Sequence, residues 1–483
     1  FMAFLDSDTT RDALDRTVLK YATYKDGVWS EPVVVQNDGT ADFQPSICEM
    51  DSGRVMISWL SYDPETQVNE DAADYLSKLE VYTAVIDTAS GTVSEETRLT
   101  NDVYYDYTPI SVYDDLTGDR AVYYVKTAST GSAEDMVNSY TNDCVVVYML
   151  YSAEQGRWLF DYYYDEEVAS EEDKEILISQ WHGQRFLSSP IPELGLDVPN
   201  ISDFTAITYN GIAVYAYTID QDSSNDTAYD KEMFVQFYDF ETHKTYVPVR
   251  ITNDDVSDAL PQFVRTGSGE EADTKLFWYR DEKNVTYIDI SSLVSEGVDD
   301  NGQIKDEYLT GNDGVKRDID SLYSYVSPNV DNYQGSRSMS DFKAVTDGDD
   351  IYIVWTQPYT TDEVDESGDA IQCREVYATA LIQDENAPGG DMNDNENVPG
   401  TSWADPYRLT YTGAFTDEPT AVIDNNGNMM VLYNQYEQEI TEDAENPVII
   451  SDFKLRASYM EPCGAVDVTD ISFSDDTPNA GDT

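Results

Sequence analysis

The sequence predicts an all-β repeat architecture, and three observations carry that prediction. Tyrosine occurs 37 times and aromatic residues make up 12 % of the 483 positions, and Tyr, Val, Ile and Thr favour half-buried strands. Helix-length amphipathic patterns are nearly absent. One pattern recurs along almost the whole chain: apolar strand, tight turn, second apolar strand, polar loop, third strand, tight turn, fourth strand. Length alone would suggest several domains, but repeat folds override that expectation.

The second strands are the plainest. They read Phe1–Phe4, Arg54–Leu60, Arg120–Val125, Ile212–Thr218, Lys275–Tyr279, Ile351–Trp355 and Met429–Tyr433, which makes seven. Each is followed by a third strand: Val18–Tyr24, Leu79–Ile86, Cys144–Tyr151, Met233–Tyr238, Val285–Ile290, Arg374–Leu381 and Asp452–Tyr459. A first strand with a polar-to-apolar entry, often with Pro, precedes six of them, at Gln44-Pro45, Thr108-Pro109, Asp203-Phe204, Leu260-Pro261, Asp341-Phe342 and Glu418-Pro419. Proline is tolerated where a strand begins, because the N–H it lacks is not needed there. Fourth strands are predicted to end in Leu/Ile-Thr, at Leu99-Thr100, Ile251-Thr252, Leu309-Thr310 and Leu409-Thr410. Two approaches to them read Trp29-Ser30-Glu31-Pro32 and Trp403-Ala404-Asp405-Pro406. The turns between first and second strands are short and rich in Asp, Asn and Gly, which supply the positive φ of tight hairpins.

Four antiparallel strands per unit, repeated seven times, predict a seven-bladed β-propeller, with six and eight blades as the bounds. A β-sandwich array would need more strands per unit. The order Trp-x-x-Pro, Leu-Thr, Pro-x-Ile, Asn-Gly, then a Val/Ile-rich strand with an aromatic resembles the irregular propeller repeats of bacterial cell-surface proteins. The propeller is expected over 1–462, with long-loop insertions at 161–202, 310–340 and 383–402; the first of these includes a short helix starting near Ser170. The first unit lacks its first strand and the last lacks its fourth, which fits either ring closure by strand sharing or a trimmed chain. The segment 463–483 resembles a linker and the first strand of a truncated Ig-like, cell-adhesion-related bacterial domain, on the turn residues Pro478, Gly481 and Asp482. That resemblance implies further domains in the same polypeptide.

The chain carries 95 acidic and 28 basic residues, a net charge of −67. Such a field repels phosphate backbones and anionic membrane surfaces, so nucleic-acid partners are excluded. No apolar run of membrane-spanning length occurs, so no direct membrane insertion is expected. The four cysteines, Cys48, Cys144, Cys373 and Cys463, form no metal or redox spacing and read as buried or idle thiols. The two histidines, His182 and His243, have no triad partner visible in the sequence.

Blade topology places the loops between second and third strands on one face. Most of these are long: Ser61–Lys78, Lys126–Asp143, Asp220–Glu232, Pro358–Gln372 and Asn434–Ser451. Loops carry function, so this rim is the candidate binding face. Its aromatic residues Tyr62, Tyr140, Trp181, Tyr229 and Tyr359 are the candidate ligand-binding residues, because flat rings beside Asp and Asn suit the faces and hydroxyls of sugars. The run Asp391, Asn393, Asn395, Asn397 places oxygen ligands at alternate positions, as at the start of a Ca2+ loop, but lacks the Gly and the final Glu of the helix–loop–helix version.

The expected function is non-catalytic recognition or adhesion: a module of a secreted or cell-surface bacterial protein binding a glycan or a host surface protein. The first alternative is a secreted, glycoside-hydrolase-like enzyme with paired carboxylates at the channel mouth; the second is a structural spacer.

Overall fold

A computed structural model of the chain describes residues 1–25, 28–66, 72–102, 104–127, 144–160, 185–186, 201–209, 211–220, 231–242, 244–267, 272–280, 284–299, 304–310, 314–326, 339–364, 370–384, 400–424, 427–440 and 448–460. They form seven antiparallel sheets in sequence order, each with the consecutive strand order of a propeller blade, plus one two-stranded ribbon. All seven second strands and all seven third strands fall where the sequence placed them. The chain divides into two compact units, Phe1–Met339 with Leu381–Ala404, and Ser340–Ala380 with the chain from Asp405 onward.

The first unit holds sheets one to five. Sheet two shows how a sequence makes such a blade. Its strands are Phe43–Glu49, Arg54–Ser61, Glu80–Asp87 and a fourth in two short pieces, Thr92–Val93 and Thr97–Arg98. Arg54–Ser61 is buried along nearly its whole length because both faces are covered. Ile57 and Trp59 point to sheet one, while Met56 and Leu60 point to sheet three. The same split recurs in sheet three, where Tyr123 and Val125 meet sheet four, and Val122 and Tyr124 meet sheet two. Period-two alternation thus sends successive side chains into different interfaces. Each large side chain so buried contributes about 1.5–3 kcal/mol. In the second unit Val354 and Val376 pack against Val431 and Tyr433 in the same manner.

First strands share one irregularity. The register slips between Phe43 and Ser46, Tyr107 and Ile110, Ile201 and Phe204, Ala259 and Gln262, Ser340 and Lys343, and Asp417 and Thr420. Five non-glycine residues at these bulges have left-handed backbone: Gln44, Thr108, Leu260, Asp341 and Glu418, with φ between 46° and 52°. The prolines next to four of them sit inside the strand at its bulge rather than at its start. A bulge leaves residues out of the ladder, so the missing N–H costs nothing there. Within the first unit the bulges also join neighbours: Thr108 N donates to Gln44 Oε1 at 2.6 Å, and Ser111 N to Ser46 Oγ at 3.2 Å.

Three expectations need correction. Leu309-Thr310 does not end a fourth strand. Two helical turns, Ile290–Ser292 and Leu293–Gly297, follow the third strand of sheet five, and its fourth strand is Ser324–Tyr325. The segments Pro358–Gln372 and Asn434–Ser451 are largely not loops. The second and third strands run on into them, as Ile351–Val364 with Ala370–Asp384, and Met429–Ile440 with Val448–Met460. Sheet one has no first strand and sheet seven no fourth among the described residues, as expected. The Ser170 helix and the segment 463–483 lie outside the described residues.

Candidate functional site

The long-loop end of each sheet is where first and third strands begin and second and fourth strands end. A recurring latch is built there. Thr100, at the end of its fourth strand, accepts the Val81 N–H at 2.9 Å; Thr252 accepts that of Met233 at 2.8 Å; Thr410 accepts that of Val376 at 2.9 Å. A buried glutamate stands one residue before each of these amides. Glu80 accepts the Asp102 N–H at 3.0 Å, Glu232 that of Asp254 at 2.8 Å, and Glu375 that of Thr412 at 2.8 Å. The Leu/Ile-Thr repeat is therefore a device that ties a fourth strand to a third strand and to the chain leading onward.

In the first unit the latch extends into a charge cluster, twice. Arg98 binds Glu80 at 2.9 Å, and Lys126 binds Asp102 at 2.9 Å and Asp106 at 2.6 Å. Arg250 binds Glu232 at 3.2 Å, and Arg280 binds Asp254 and, at 2.9 Å, Asp258. Lys126 and Arg280 stand at the ends of second strands, Arg98 and Arg250 end fourth strands, and Asp106 and Asp258 begin first strands. Burial pushes Glu80 and Asp106 above the usual carboxylate range, and burial likewise takes Asp258 to about 6 against the pull of Thr252 and Arg280. Burial alone would lower Lys126, but Asp106 and Asp102 hold it above the ordinary lysine value. These carboxylates are sealed: Glu80 and Asp106 are 2 % and 3 % exposed. A pocket of about 210 Å³ lies above the first cluster, lined by Arg98, Leu99, Thr100, Asn101 and Phe160.

The second unit turns the latch outward. Glu375 takes the Thr412 amide, the Gly413 amide at 3.0 Å and the Thr410 hydroxyl. The chain folds around that one carboxylate, and Tyr411 is left facing solvent at 75 % exposure. Gly413, with φ of 64°, supplies the left-handed residue that closes the turn. Arg408 lies with its guanidinium 3.7 Å from the Tyr411 ring centre and 4.1 Å from that of Tyr359. Its Nε is buried without a hydrogen-bond partner. The result is a Tyr359–Arg408–Tyr411 platform whose positive charge is fixed between two rings.

No family model and no curated protein matches the chain. Among solved structures, a protein of unknown function from Dyadobacter fermentans is 10 % identical, covering 87 % of this chain and 94 % of its own, with a TM-score of 0.42. A Trypanosoma rangeli sialidase in complex with sialic acid is 11 % identical, covering 95 % of this chain and 58 % of its own, with a TM-score of 0.41. An ulvan lyase is 11 % identical, covering 85 % and 82 %, with a TM-score of 0.36.

Of the five aromatic residues proposed from sequence, Tyr359 stands in the platform. Tyr62 is 4 % exposed, donates its hydroxyl to Asp15 and packs on Tyr75 with ring centres 5.8 Å apart. Tyr140, Trp181 and Tyr229 lie outside the described residues, as do the Ca2+ candidates Asp391, Asn393, Asn395 and Asn397. Among the described residues no group of three His, Cys, Asp or Glu side chains is placed to hold a metal ion, and no described helix is long and apolar enough to cross a membrane. Sequence reasoning missed Arg408 and Tyr411. The signal was present: the apolar-Thr pair follows an arginine in Arg98-Leu99-Thr100, Arg250-Ile251-Thr252 and Arg408-Leu409-Thr410.

Proposed function

We propose that this chain is a non-catalytic glycan-recognition module, acting outside the cell as part of a larger surface polypeptide. The observation that carries the reading is the Tyr359–Arg408–Tyr411 platform at the long-loop end of the second unit. An exposed ring held flat by a stacked guanidinium offers a face to sugar C–H groups, and the arginine edge offers donors to hydroxyls. The platform is prepared before a ligand arrives, because the Glu375 latch fixes the loop that bears Tyr411. Preorganisation of this kind lowers the entropic cost of binding. Binding is favoured over glycoside hydrolysis by the state of the raised carboxylates. Glu80, Asp106 and Asp258 are committed to buried cations and amides, out of reach of a sugar.

A glycan and mucin panel, scored for both retention and released sugar, tests the proposal. Retention without release, lost in Tyr411→Ala and Arg408→Ala, is expected. Released sugar would replace the reading by the enzyme. Retention that both variants leave intact would refute the platform as the site.

A further inference from the structure

The opposite end of the second and third sheets carries a groove of about 500 Å³ that the platform does not touch. Its lining includes Arg54, Arg120, Asp87, Ser90, Thr92 and Ser94. Arg54 and Arg120 are each the first residue of a second strand, in successive sheets. The blade repeat therefore delivers two guanidiniums to one groove from distant points in the chain. The three hydroxyl residues come from the turn after the third strand of sheet two and the short strand that follows it.

The two arginines are not equivalent. Arg54 is paired with Asp51. Arg120 has no carboxylate partner among the described residues. Its guanidinium lies 3.8 Å from the Tyr151 ring centre and 5.8 Å from that of Trp158. One terminal nitrogen reaches only the Met50 sulfur, at 3.8 Å, and Nε is buried with no hydrogen-bond partner. Arg11, Arg98, Arg250 and Arg280, by contrast, all hold carboxylates. Asp87 makes no ion pair with it; its Oδ1 accepts the Ala89 and Ser90 amides and the Ser90 hydroxyl, and its charge stays in the lining beside the two guanidiniums. The groove thus holds a partly buried, aromatic-backed positive charge beside a row of hydroxyls.

We propose that this groove is a second binding site, taking a saccharide that carries a carboxylate. A guanidinium edge accepts a planar carboxylate through paired charge-assisted hydrogen bonds. Ser90, Thr92 and Ser94 match ring hydroxyls, and Val85 in the same lining offers an apolar contact. The volume is that of a small-ligand site. The chain's overall negative field slows the approach of an anion, but its reach at physiological salt is only about 8 Å, so the local arginines govern the bound state.

The test is titration of the full chain with a uronic-acid oligosaccharide, its carboxyl-reduced neutral counterpart and a sulfated oligosaccharide. Trp158 fluorescence and calorimetry report binding, at low and at physiological salt. Saturable binding of the uronic-acid compound is expected, weakened about tenfold or more by Arg120→Gln and by Arg54→Gln. Arg120→Lys should recover part of the loss, since it keeps the charge and loses the fork. All titrations are made in the Tyr411→Ala background, which disables the platform, so that binding reports the groove alone. Absence of saturable binding, equal binding of the neutral compound, binding of the sulfated compound alone, or indifference to both Gln variants while each melts like the parent would each overturn the proposal.

Discussion

Replacing Thr100 by Val keeps the shape of the side chain and removes one hydroxyl. In the latch that hydroxyl oxygen accepts the Val81 N–H at 2.9 Å and engages the Glu80 carboxylate. Thr100, Val81 and Glu80 are 1 %, 0 % and 2 % exposed, so water cannot replace the lost partner. A buried amide left unpaired costs about 1–3 kcal/mol, and a hydrogen bond to a charged group contributes about 1.5–3 kcal/mol. Because the Val methyl recovers some packing, the expected loss is about 2–4 kcal/mol. Urea unfolding followed by tryptophan fluorescence measures it, provided that the slope is unchanged. Hydrogen exchange adds a local readout: the Val81 amide should lose protection more than the Tyr123 amide in the next sheet. Thr100→Ser keeps the hydroxyl and should lie within about 1 kcal/mol of the parent. A loss below about 0.5 kcal/mol in Thr100→Val, with Val81 still protected, would show that the apolar-Thr repeat is not a latch.

Lys126→Met should destabilise by about 3–5 kcal/mol, because it leaves Asp102 and Asp106 without their buried cation; adding Asp106→Leu should recover part of that in the same unfolding assay, and no recovery would refute the pairing. Burial holds Asp42 at about 7 against an ordinary 3.8, so the folded chain keeps a proton that the unfolded chain has lost. Stability from this group is complete below about pH 4 and fades as pH rises through about 7, a fall of at most about 4 kcal/mol; Asp42→Asn should flatten the decline in melting temperature between pH 5 and pH 8, and an unchanged slope would refute the assignment. Leu260 is 46 % exposed and has a left-handed backbone with φ of 52°. Leu260→Gly should therefore stabilise by up to about 1 kcal/mol, the relief of about 1–2 kcal/mol of strain less the entropy of glycine, and a loss of more than about 1 kcal/mol would show that the bulge is not strained.

The strands were legible because most sheets bury both faces of their second strand, which gives unbroken apolar runs such as Ala121–Val125 after short Gly, Asp and Asn turns. The ribbons at Pro358–Val364 and Glu437–Ile440 were not. In both, the second strand runs on past the first strand of its sheet into polar sequence, so it shows no apolar alternation and reads as loop. Leu309-Thr310 misled for a related reason. The apolar-Thr pair acts through a glutamate on another strand, and the pair alone does not reveal whether that glutamate is present. The platform was half visible: Tyr359 stood out as an aromatic residue in a long loop, while Arg408 and Tyr411 seemed to belong to a strand end. The Arg54–Arg120 groove was invisible, because nothing local relates two arginines that are neighbours only through the packing of successive sheets.

The two charge clusters have a bearing on how this chain was assembled. Glu80 and Glu232, Arg98 and Arg250, Thr100 and Thr252, Asp102 and Asp254, and Asp106 and Asp258 are each separated by 152 residues. The junction between them, from sheet three to sheet four, has a different character: Tyr123 stacks on Tyr148 and on Tyr215, with ring centres 5.4 Å and 6.0 Å apart. Ionic and aromatic junctions thus alternate, and the period that matters is a pair of sheets. Such spacing makes a pair of sheets the repeating unit of these junctions. A shortened or lengthened version of the first unit should keep compatible junctions when sheets are removed or added in pairs, and should set an ionic edge against an aromatic one when a single sheet is moved.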